Sequence, residues 1–297
     1  MTVVRTSFVA ALLVACGSSP PVASPGAPAR PPLTLTYLGV AGWQLDAGTP
    51  DHARVLVDPY FSRPTFDGPI VPDATAIAAG APTTADLILV GHSHVDHVLD
   101  VPAVALRTGA EILGTPSTIR LARASGVPTD QLVQVSGGED YAWDALSVRV
   151  LRSLHSALDD KHAIPGEIAA TPTLPMTFDD YGEGGTLAYL VRFGGHQVFV
   201  MSTANFIERE VAGLRPDVAI IAPGLREQVY DYTCRLLHAL GDPPVVLPTH
   251  FDDWRAPLVT TPTPVDDDLA AFVAEITACA PGTRVIVPTP RTPIVID

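Results

Sequence analysis

Hydrophobic residues in this chain fall into short blocks separated by turns, not into long continuous runs. Residues 33–38 alternate apolar and polar side chains, which is the period of a strand with one face in solvent. Residues 266–279 carry apolar side chains at helical spacing and predict an amphipathic helix. Strands and helices alternate in two similar halves. Further strands are predicted over 43–46, 54–58, 87–91, 111–114, 132–135, 147–154, 186–193, 197–201, 218–222, 245–250 and 284–287, and further helices over 101–108, 116–125 and 230–240.

Two segments lack such a pattern. Residues 61–82 are rich in Pro, Asp and Gly and predict a loop. Residues 156–185 contain prolines and many acidic residues, and a loop of that length in a compact domain is usually functional or disordered. Tight turns at 48–51 and at 194–195 each predict a hairpin, and His196 beside the second turn is predicted to be exposed.

Composition limits the classes of protein to consider. The chain has 297 residues, 47% of them hydrophobic, with a mean hydropathy of +0.26, so it can form one large core or two domains. The net charge of −14 argues against a basic surface that binds nucleic acid, and it disfavours adsorption to an anionic bilayer. The sequence therefore predicts a small-molecule partner and no nucleic acid, and it leaves the oligomeric state open.

The block at 87–97 ends in a cluster of metal-ligand residue types. His92, His94, Asp96 and His97 have the spacing H-x-H-x-D-H directly after an apolar strand. Neutral imidazole nitrogen and carboxylate oxygen suit Zn²⁺. Alternate residues of an extended chain share one face, so His92 and His94 can bind one ion, while Asp96 and His97 can turn toward a second. The alternative is a solvated His-rich turn.

This motif resembles the signature of the metallo-β-lactamase fold superfamily of hydrolases, and most of all the branch with ascorbate-phosphate lactonases and phospholipase-D-like lipid hydrolases. The resemblance covers about residues 33–297 and includes the runs Val55-Leu-Val-Asp-Pro59 and 184–193. It implies an α/β fold, a four-layer αβ/βα sandwich with two facing sheets and helices outside. It also implies two metal sites at strand ends, one of His92, His94 and His155 and the other of Asp96, His97 and His250.

One position departs from the family pattern. The family usually carries a bridging Asp after the strand at 198–201, and Ser202 stands there in this chain. Two Zn²⁺ ions at ~3.5–4 Å repel strongly, and a neutral hydroxyl offsets that repulsion less than a carboxylate does. We therefore expect one tight Zn²⁺ and a weakened second site. A carboxylate from the 156–185 loop is a possible substitute; its candidates are Asp159, Asp160, Asp179, Asp180 and Glu183.

The predicted chemistry is hydrolysis. Three neutral His ligands leave Zn²⁺ a position for water, whose pKa falls from ~15.7 to ~7, so that hydroxide can attack a small ester, lactone, amide or phosphoester. Asp96 is predicted to take or steer the proton. Asp58 either orients a ligand imidazole or caps a strand end. The 156–185 loop leaves directly from His155 and is predicted to cover the site as a lid.

An alternative function belongs to another class. A catalytically weak, metal-binding surface lipoprotein that retains the fold would also carry these ligands, and Ser202 keeps this alternative open.

The N-terminus is predicted to be a processing segment. Arg5 precedes an apolar stretch, and Leu13-Val-Ala-Cys16 resembles the bacterial lipobox, so residues 1–15 are predicted as a lipoprotein signal peptide and Cys16 as the lipidation site. An ordinary signal peptide with an incidental Cys is the alternative. Residues 16–32 form a predicted Pro/Ser/Gly tether, and 33–297 the hydrolase domain. This organisation predicts an exported bacterial lipoprotein of the cell envelope, in the outer membrane or on its periplasmic face, bound to membrane through its lipid only.

Two further thiols leave a structural question open. Cys234 and Cys279 are the remaining cysteines. In an exported protein they can form a disulfide, or each can be a small buried hydrophobe in its own helix.

Overall fold

A computed structural model describes residues 30–48, 52–144, 146–158, 164–258 and 267–296. The predicted signal peptide, Cys16, nearly all of the tether, Asp159 and Asp160 lie outside these ranges. The strands are β1 (Leu33–Gly39), β2 (Gly42–Ala47), β3 (Arg54–Val57), β4 (Leu87–Leu89), β5 (Glu111–Gly114), β6 (Leu132–Gln134), β7 (Asp140–Ala142), β8 (Leu146–Arg152), β9 (Leu187–Phe193), β10 (His196–Met201), β11 (Val218–Ile221), β12 (Val245–Pro248), β13 (Arg284–Val285) and β14 (Pro293–Ile296). The helices are α1 (Ala74–Gly80), α2 (Val95–Val98), α3 (Val101–Thr108), α4 (Pro116–Ala124), α5 (Glu208–Val211), α6 (Tyr232–Leu240) and α7 (Asp267–Cys279).

The described strands form two mixed sheets of seven. The first has the order β14-β1-β2-β3-β4-β5-β6, and the second has the order β13-β12-β11-β10-β9-β8-β7. Each sheet joins antiparallel strands to a parallel set, which is β3 to β6 in the first and β10 to β13 in the second. β2 pairs antiparallel with β3 and β9 with β10, as the two predicted hairpins require, although residues 49–51 of the first turn lie outside the described ranges.

Three apolar cores separate four layers. Trp43 and Leu89 of the first sheet pack with Val148 and Leu247 of the second, so the two sheets face each other. A second core lies between the first sheet and α1 to α4, and a third lies between the second sheet and α6 and α7. The predicted αβ/βα sandwich is confirmed.

Several local predictions are wrong or incomplete. Residues 61–82 are not entirely loop, because α1 forms there: Asp73 caps it by accepting the N–H groups of Thr75 and Ala76 at 2.8 and 3.1 Å. The helix predicted from residue 230 begins at Tyr232, and Tyr230 is 85% exposed. The short strands β7 and β14 were not predicted.

The prediction that His196 is exposed is also wrong. His196 is 2% exposed, and its Nε2 lies 2.9 Å from the carbonyl oxygen of Pro31. The chain that precedes β1 therefore covers this turn, a contact that no local pattern could indicate.

The open question about the thiols has an answer. Cys234 in α6 and Cys279 at the end of α7 form a disulfide with a Cα–Cα distance of 5.2 Å. The bond joins the two outer helices across 45 residues of sequence.

No helix in the described ranges combines the length and the apolar character that crossing a bilayer requires.

Candidate metal centre

The predicted ligands meet where strands of both sheets end. The motif His92–His97 follows β4, His155 follows β8 and His250 follows β12. β8, β10 and β12 run in the same direction, as do β3 and β4, so each set presents its carboxyl ends at one edge of its sheet. Loop residues at such an edge converge although they are distant in sequence.

Bonds between the sheets fix this edge. The Tyr189 hydroxyl in β9 donates to the carbonyl of Val90 at 2.7 Å, and the Leu187 N–H donates to the carbonyl of Gly91 at 2.7 Å. Both acceptors immediately precede the motif. These hydrogen bonds therefore hold the segment between β4 and His92 against the second sheet.

Three imidazoles form the first ligand group. His92, His94 and His155 each offer one nitrogen, and these atoms lie within 4.8 Å of one another. His92 Nε2 and His94 Nδ1 are 3.0 Å apart. His155 Nδ1 lies 3.0 Å from the carbonyl of Ser156, so Nδ1 carries the hydrogen and Nε2 keeps its lone pair. Three converging imidazole lone pairs fit Zn²⁺.

A carboxylate and two imidazoles form the second group. Asp96 Oδ2 lies 3.0 Å from His250 Nε2 and 3.6 Å from His97 Nε2. These ligand atoms also lie within 4.8 Å of one another. The donor set of one oxygen and two nitrogens again suits a divalent cation. The structure thus brings together all six residues in the two groups that the resemblance implies.

Asp58 orients one ligand and also caps its strand. Its Oδ2 accepts from His97 Nδ1 at 2.8 Å, which leaves His97 Nε2 free for a metal, and its Oδ1 accepts from the Gly91 N–H at 2.7 Å. Asp58 is fully buried, with a left-handed φ of 39°. These contacts fit both roles considered for Asp58, which stay predictions.

Burial and neighbouring charges set the protonation of the ligands. Burial, together with the neighbouring imidazoles, lowers the pKa of His92 well below its usual value and lowers the pKa of His155 to about 4. Both are neutral at pH 7, as metal ligation requires. Burial raises the pKa of Asp96, but His97 and His250 outweigh it and hold that pKa well below the usual value. Burial likewise opposes the charged form of His97, yet Asp96 and Asp58 raise its pKa overall.

A buried polar network fixes the turn that carries His250. This residue has a left-handed φ of 55°, and its N–H donates to the Val40 carbonyl at 2.6 Å. Asp252 Oδ1 accepts from the Val40 N–H at 2.8 Å and from the Tyr37 hydroxyl. Trp43 Nε1 donates to the Thr249 hydroxyl at 2.9 Å. Asp252 was not predicted as a functional residue, and only its position two residues after His250 hinted at it.

Ser202 lines the cavity beside the ligands and is 3% exposed. A Cβ added to Gly91 would collide with Ser202 Oγ and would lie 3.0 Å from Asp58 Oδ2. Ser202 and Asp58 thus flank the same backbone atom. Asp58 belongs to neither ligand group, and its two oxygens accept from His97 Nδ1 and the Gly91 N–H.

The 156–185 loop covers one side of the cavity. Its described residues Leu158, Ile164 and Phe178 line the cavity together with the ligands. Ser93 holds the loop, because its N–H donates to the Glu183 carbonyl at 2.9 Å and its hydroxyl to the Gly182 carbonyl at 2.5 Å.

The described carboxylates of this loop do not join either ligand group. Asp180 accepts from Thr177, and Glu183 accepts from the Thr186 hydroxyl at 2.7 Å. Asp179 is likewise outside both groups. Among the described candidates, none occupies the position that Ser202 leaves without a carboxylate.

A further part of the cavity wall was not predicted. Leu225, Trp254 and Arg255 line it, and the whole cavity measures about 450 Å³. Trp254 and Arg255 follow His250 closely in sequence, but nothing in their local pattern shows that they turn back toward the ligands.

Comparison with known proteins gives the class of this one. The chain belongs to the β-lactamase superfamily, whose Beta-lactamase superfamily domain matches residues 53–251, more than half of the sequence. The matched region contains all six grouped residues.

Relatives and solved structures agree with this class. A UPF0173 metal-dependent hydrolase of Methylobacterium nodulans is 27% identical over 270 residues, which are 89% of this chain and 100% of that protein. Igni18, a metallo hydrolase of Ignicoccus hospitalis, has 19% identity and a TM-score of 0.60 over 90% of this chain and 99% of its own. CmlA, a diiron β-hydroxylase of Streptomyces venezuelae, has 15% identity and a TM-score of 0.57 over 91% of this chain and 55% of its own. The structural likenesses show the fold.

Proposed function

We propose that this protein is a zinc-dependent hydrolase of a small ester, lactone, amide or phosphoester. The observation that carries the proposal is the convergence of six ligand side chains, in two groups, on the wall of a cavity of about 450 Å³. The metal-dependent hydrolase of M. nodulans, which aligns over its full length, supports the same class of reaction.

The ligand types favour Zn²⁺ in the first group. Zn²⁺ bound there supplies a Lewis acid that lowers the pKa of a coordinated water and polarises a substrate oxygen. His92, His94 and His155 supply three neutral donors without any change of protonation at pH 7.

Asp96 is the residue that we assign to proton handling. Its carboxylate lies on the cavity wall, and its Oδ2 is 3.0 Å from His250 Nε2. Because its pKa is held well below the usual value, Asp96 stays ionised. It accepts a hydrogen bond from an attacking water and orients that water, and it does not store the proton.

Metal content and turnover measured together test the proposal. Purified protein is analysed by inductively coupled plasma mass spectrometry and assayed against a panel of lactones, phosphodiesters, simple esters and amides. Lactones and phosphodiesters come first because the motif resembles the lactonase and phospholipase-D-like branch. We expect about one zinc per chain and turnover of at least one class.

The matched variants are His94→Ala and His238→Ala. His238 lies outside both ligand groups, in the exposed ion pair with Asp242, so its replacement controls for loss of a histidine. We expect His94→Ala to lose most metal and activity and His238→Ala to keep both. Full metal occupancy in His94→Ala would contradict the assignment of the site.

Ser202 favours a second candidate function. A carboxylate-free bridging position weakens the second metal group and with it any reaction that needs two ions. The protein would then be a metal-binding, catalytically weak surface lipoprotein. Full zinc occupancy without turnover on the complete panel is the result that favours this candidate.

A further inference from the structure

We propose that Arg255 binds an oxyanion on the substrate, at a position away from the bond that is cleaved. The inference rests on the proposed function and narrows it to substrates that combine an apolar body with a carboxylate or phosphate-type group. Nothing in the metal chemistry requires such a group, so the two proposals can fail separately.

The cavity has an apolar lining with a single guanidinium. Apart from the metal groups, its described lining is largely apolar, formed by Val95, Leu158, Ile164, Phe178, Ala222, Leu225 and Trp254. Arg255 is the one Lys or Arg side chain among the described lining residues, and Asp96 is the one carboxylate. Because Asp96 belongs to the second metal group, no carboxylate of the described lining is left to neutralise Arg255.

Arg255 is held by aromatic rings and not by an acid. Its guanidinium carbon lies 4.6 Å from the ring centroid of Trp254 and 6.0 Å from that of Phe66. Within the described ranges its guanidinium forms no ion pair or hydrogen bond; only its backbone N–H is bonded, to Asp253 Oδ1 at 2.9 Å. Stacking uses the face of the guanidinium and leaves its N–H donors at the edge, where they match the fork of an oxyanion.

Seven other described arginines have an acidic partner, and among the described arginines without one, Arg255 is the one that lines the cavity. Carboxylates lie within ion-pair distance of Arg30, Arg54, Arg120, Arg192, Arg209, Arg226 and Arg235. The chain has 32 acidic residues and 18 basic ones, so acidic partners are abundant. An arginine on the cavity wall that pairs with none of the described acids has donors available for a ligand.

The aromatic wall around Arg255 restricts where it points. Trp254 and Phe178 stack at 6.0 Å with an interplanar angle of 10°, and Phe66 packs edge-on against Trp254 at 5.1 Å. This cluster joins the 156–185 loop to the segment after His250. Arg255 is exposed, and contact with these rings reduces the side-chain entropy that binding an oxyanion there would cost.

Charge makes the assignment specific for an anion. A molecule with a net charge of −14 repels anionic substrates at long range, and Arg255 places a positive charge on the described cavity lining that offsets this repulsion locally. A neutral substrate would not use Arg255. The expected substrates are thus small organic acids or phosphate monoesters whose apolar part contacts Phe178, Leu225 and Trp254.

Calorimetric binding to the zinc-loaded protein tests the inference without turnover. The probes are 4-phenylbutyrate, its neutral amide 4-phenylbutanamide and 3-phenylpropylphosphonate; the two acids distinguish a carboxylate from a phosphate-type group. The variants are Arg255→Gln, which keeps a planar hydrogen-bonding end without charge, and Arg255→Lys, which keeps the charge without the fork. Arg209→Gln, at a side chain 78% exposed on α5, is the matched control.

We expect the unaltered protein to bind at least one acid more tightly than the amide. Arg255→Gln should weaken acid binding about tenfold and leave amide binding unchanged. The affinity of Arg255→Lys for the acid should lie between those of the unaltered protein and Arg255→Gln. Arg209→Gln should not change the affinity for either probe. If the preference for the acid persists in Arg255→Gln, the acid binds at the metal and the inference is wrong. Equal binding of acid and amide by the unaltered protein overturns it as well.

Discussion

At the scale of single residues, the sequence resemblance predicts one departure from the family pattern, Ser202 in place of a bridging Asp. Six ligand side chains, Asp58 and Ser202 meet around Gly91 and the cavity wall. The candidate ligands were predictable because their residue types bind metal and they lie at or shortly after strand ends, with Asp96 and His97 on the short helix α2 that follows β4. The roles of Asp252 and Arg255 were not predictable, because both depend on contacts between segments far apart in the chain.

The substitution Ser202→Asp tests the effect of the missing carboxylate. A carboxylate placed between the two groups should offset the repulsion between two cations, so we expect the second group to bind Zn²⁺ about tenfold or more tightly while the first stays tight. Calorimetric zinc titration of both forms measures this. Two equally tight metals in the unaltered protein, unchanged by the substitution, would mean that Asp159 or Asp160 already supplies the charge.

The substitution Gly91→Ala tests the close approach beneath the centre. The added methyl would collide with Ser202 Oγ and crowd Asp58, which holds His97. We expect a loss of about 1–3 kcal/mol in the free energy of unfolding and weaker zinc binding at the second group. Urea denaturation and zinc titration measure the two effects. Gly282→Ala is the control, because a Cβ there meets nothing within 4 Å and Gly282 does not line the cavity.

At the scale of elements, α3 and β5 were predicted from local signals, α1 was missed despite its local Asp73 cap, and β14 was missed because it pairs with a strand distant in sequence. Both α3 and β5 have the predicted bounds because period and caps are local. β14 begins with Pro293 at the edge of the first sheet, and its register pairs Leu33 with Ile296. That pairing links the two ends of the described chain, so no window of sequence contains it.

The pair α6 and α7 gives a prediction about the outer layer. Their disulfide closes a loop of 45 residues, and Arg226 and Thr233 both bind Glu275 beside it. Replacing Cys234 and Cys279 together with Ala should lower the free energy of unfolding by about 3–4 kcal/mol, because the unfolded chain gains freedom. Zinc content should not change, since neither cysteine contacts a ligand group.

Urea denaturation with and without dithiothreitol measures this effect. Reductant should destabilise the unaltered protein and leave the double variant unaffected. Equal stability of the two proteins under oxidising conditions would show that the bond contributes nothing.

At the scale of the whole molecule, a predicted export signal precedes an acidic domain that carries the cavity. The fold class was predictable because the H-x-H-x-D-H motif is specific and lies after a buried strand. The substrate was not predictable from the sequence. The cavity wall combines the 156–185 loop with the segment after His250, and these two segments are far apart in the chain.

The export prediction rests on the N-terminal sequence alone. Arg5, the apolar stretch and Leu13-Val-Ala-Cys16 predict that Cys16 carries the lipid. We expect Cys16→Ser to release the protein from the membrane fraction or to block its maturation, with the activity of the domain retained. Membrane fractionation and intact mass measure both. Unchanged fractionation and mass would show that Cys16 is incidental.

Anomalous diffraction at the zinc edge tests the central claim most directly. Crystals grown with one equivalent of Zn²⁺ per chain should give a strong peak among His92, His94 and His155 and a weak peak, or none, among Asp96, His97 and His250. Two peaks of equal height would contradict the role assigned to Ser202. The absence of any peak among the three imidazoles would contradict the assignment of this protein as a zinc enzyme.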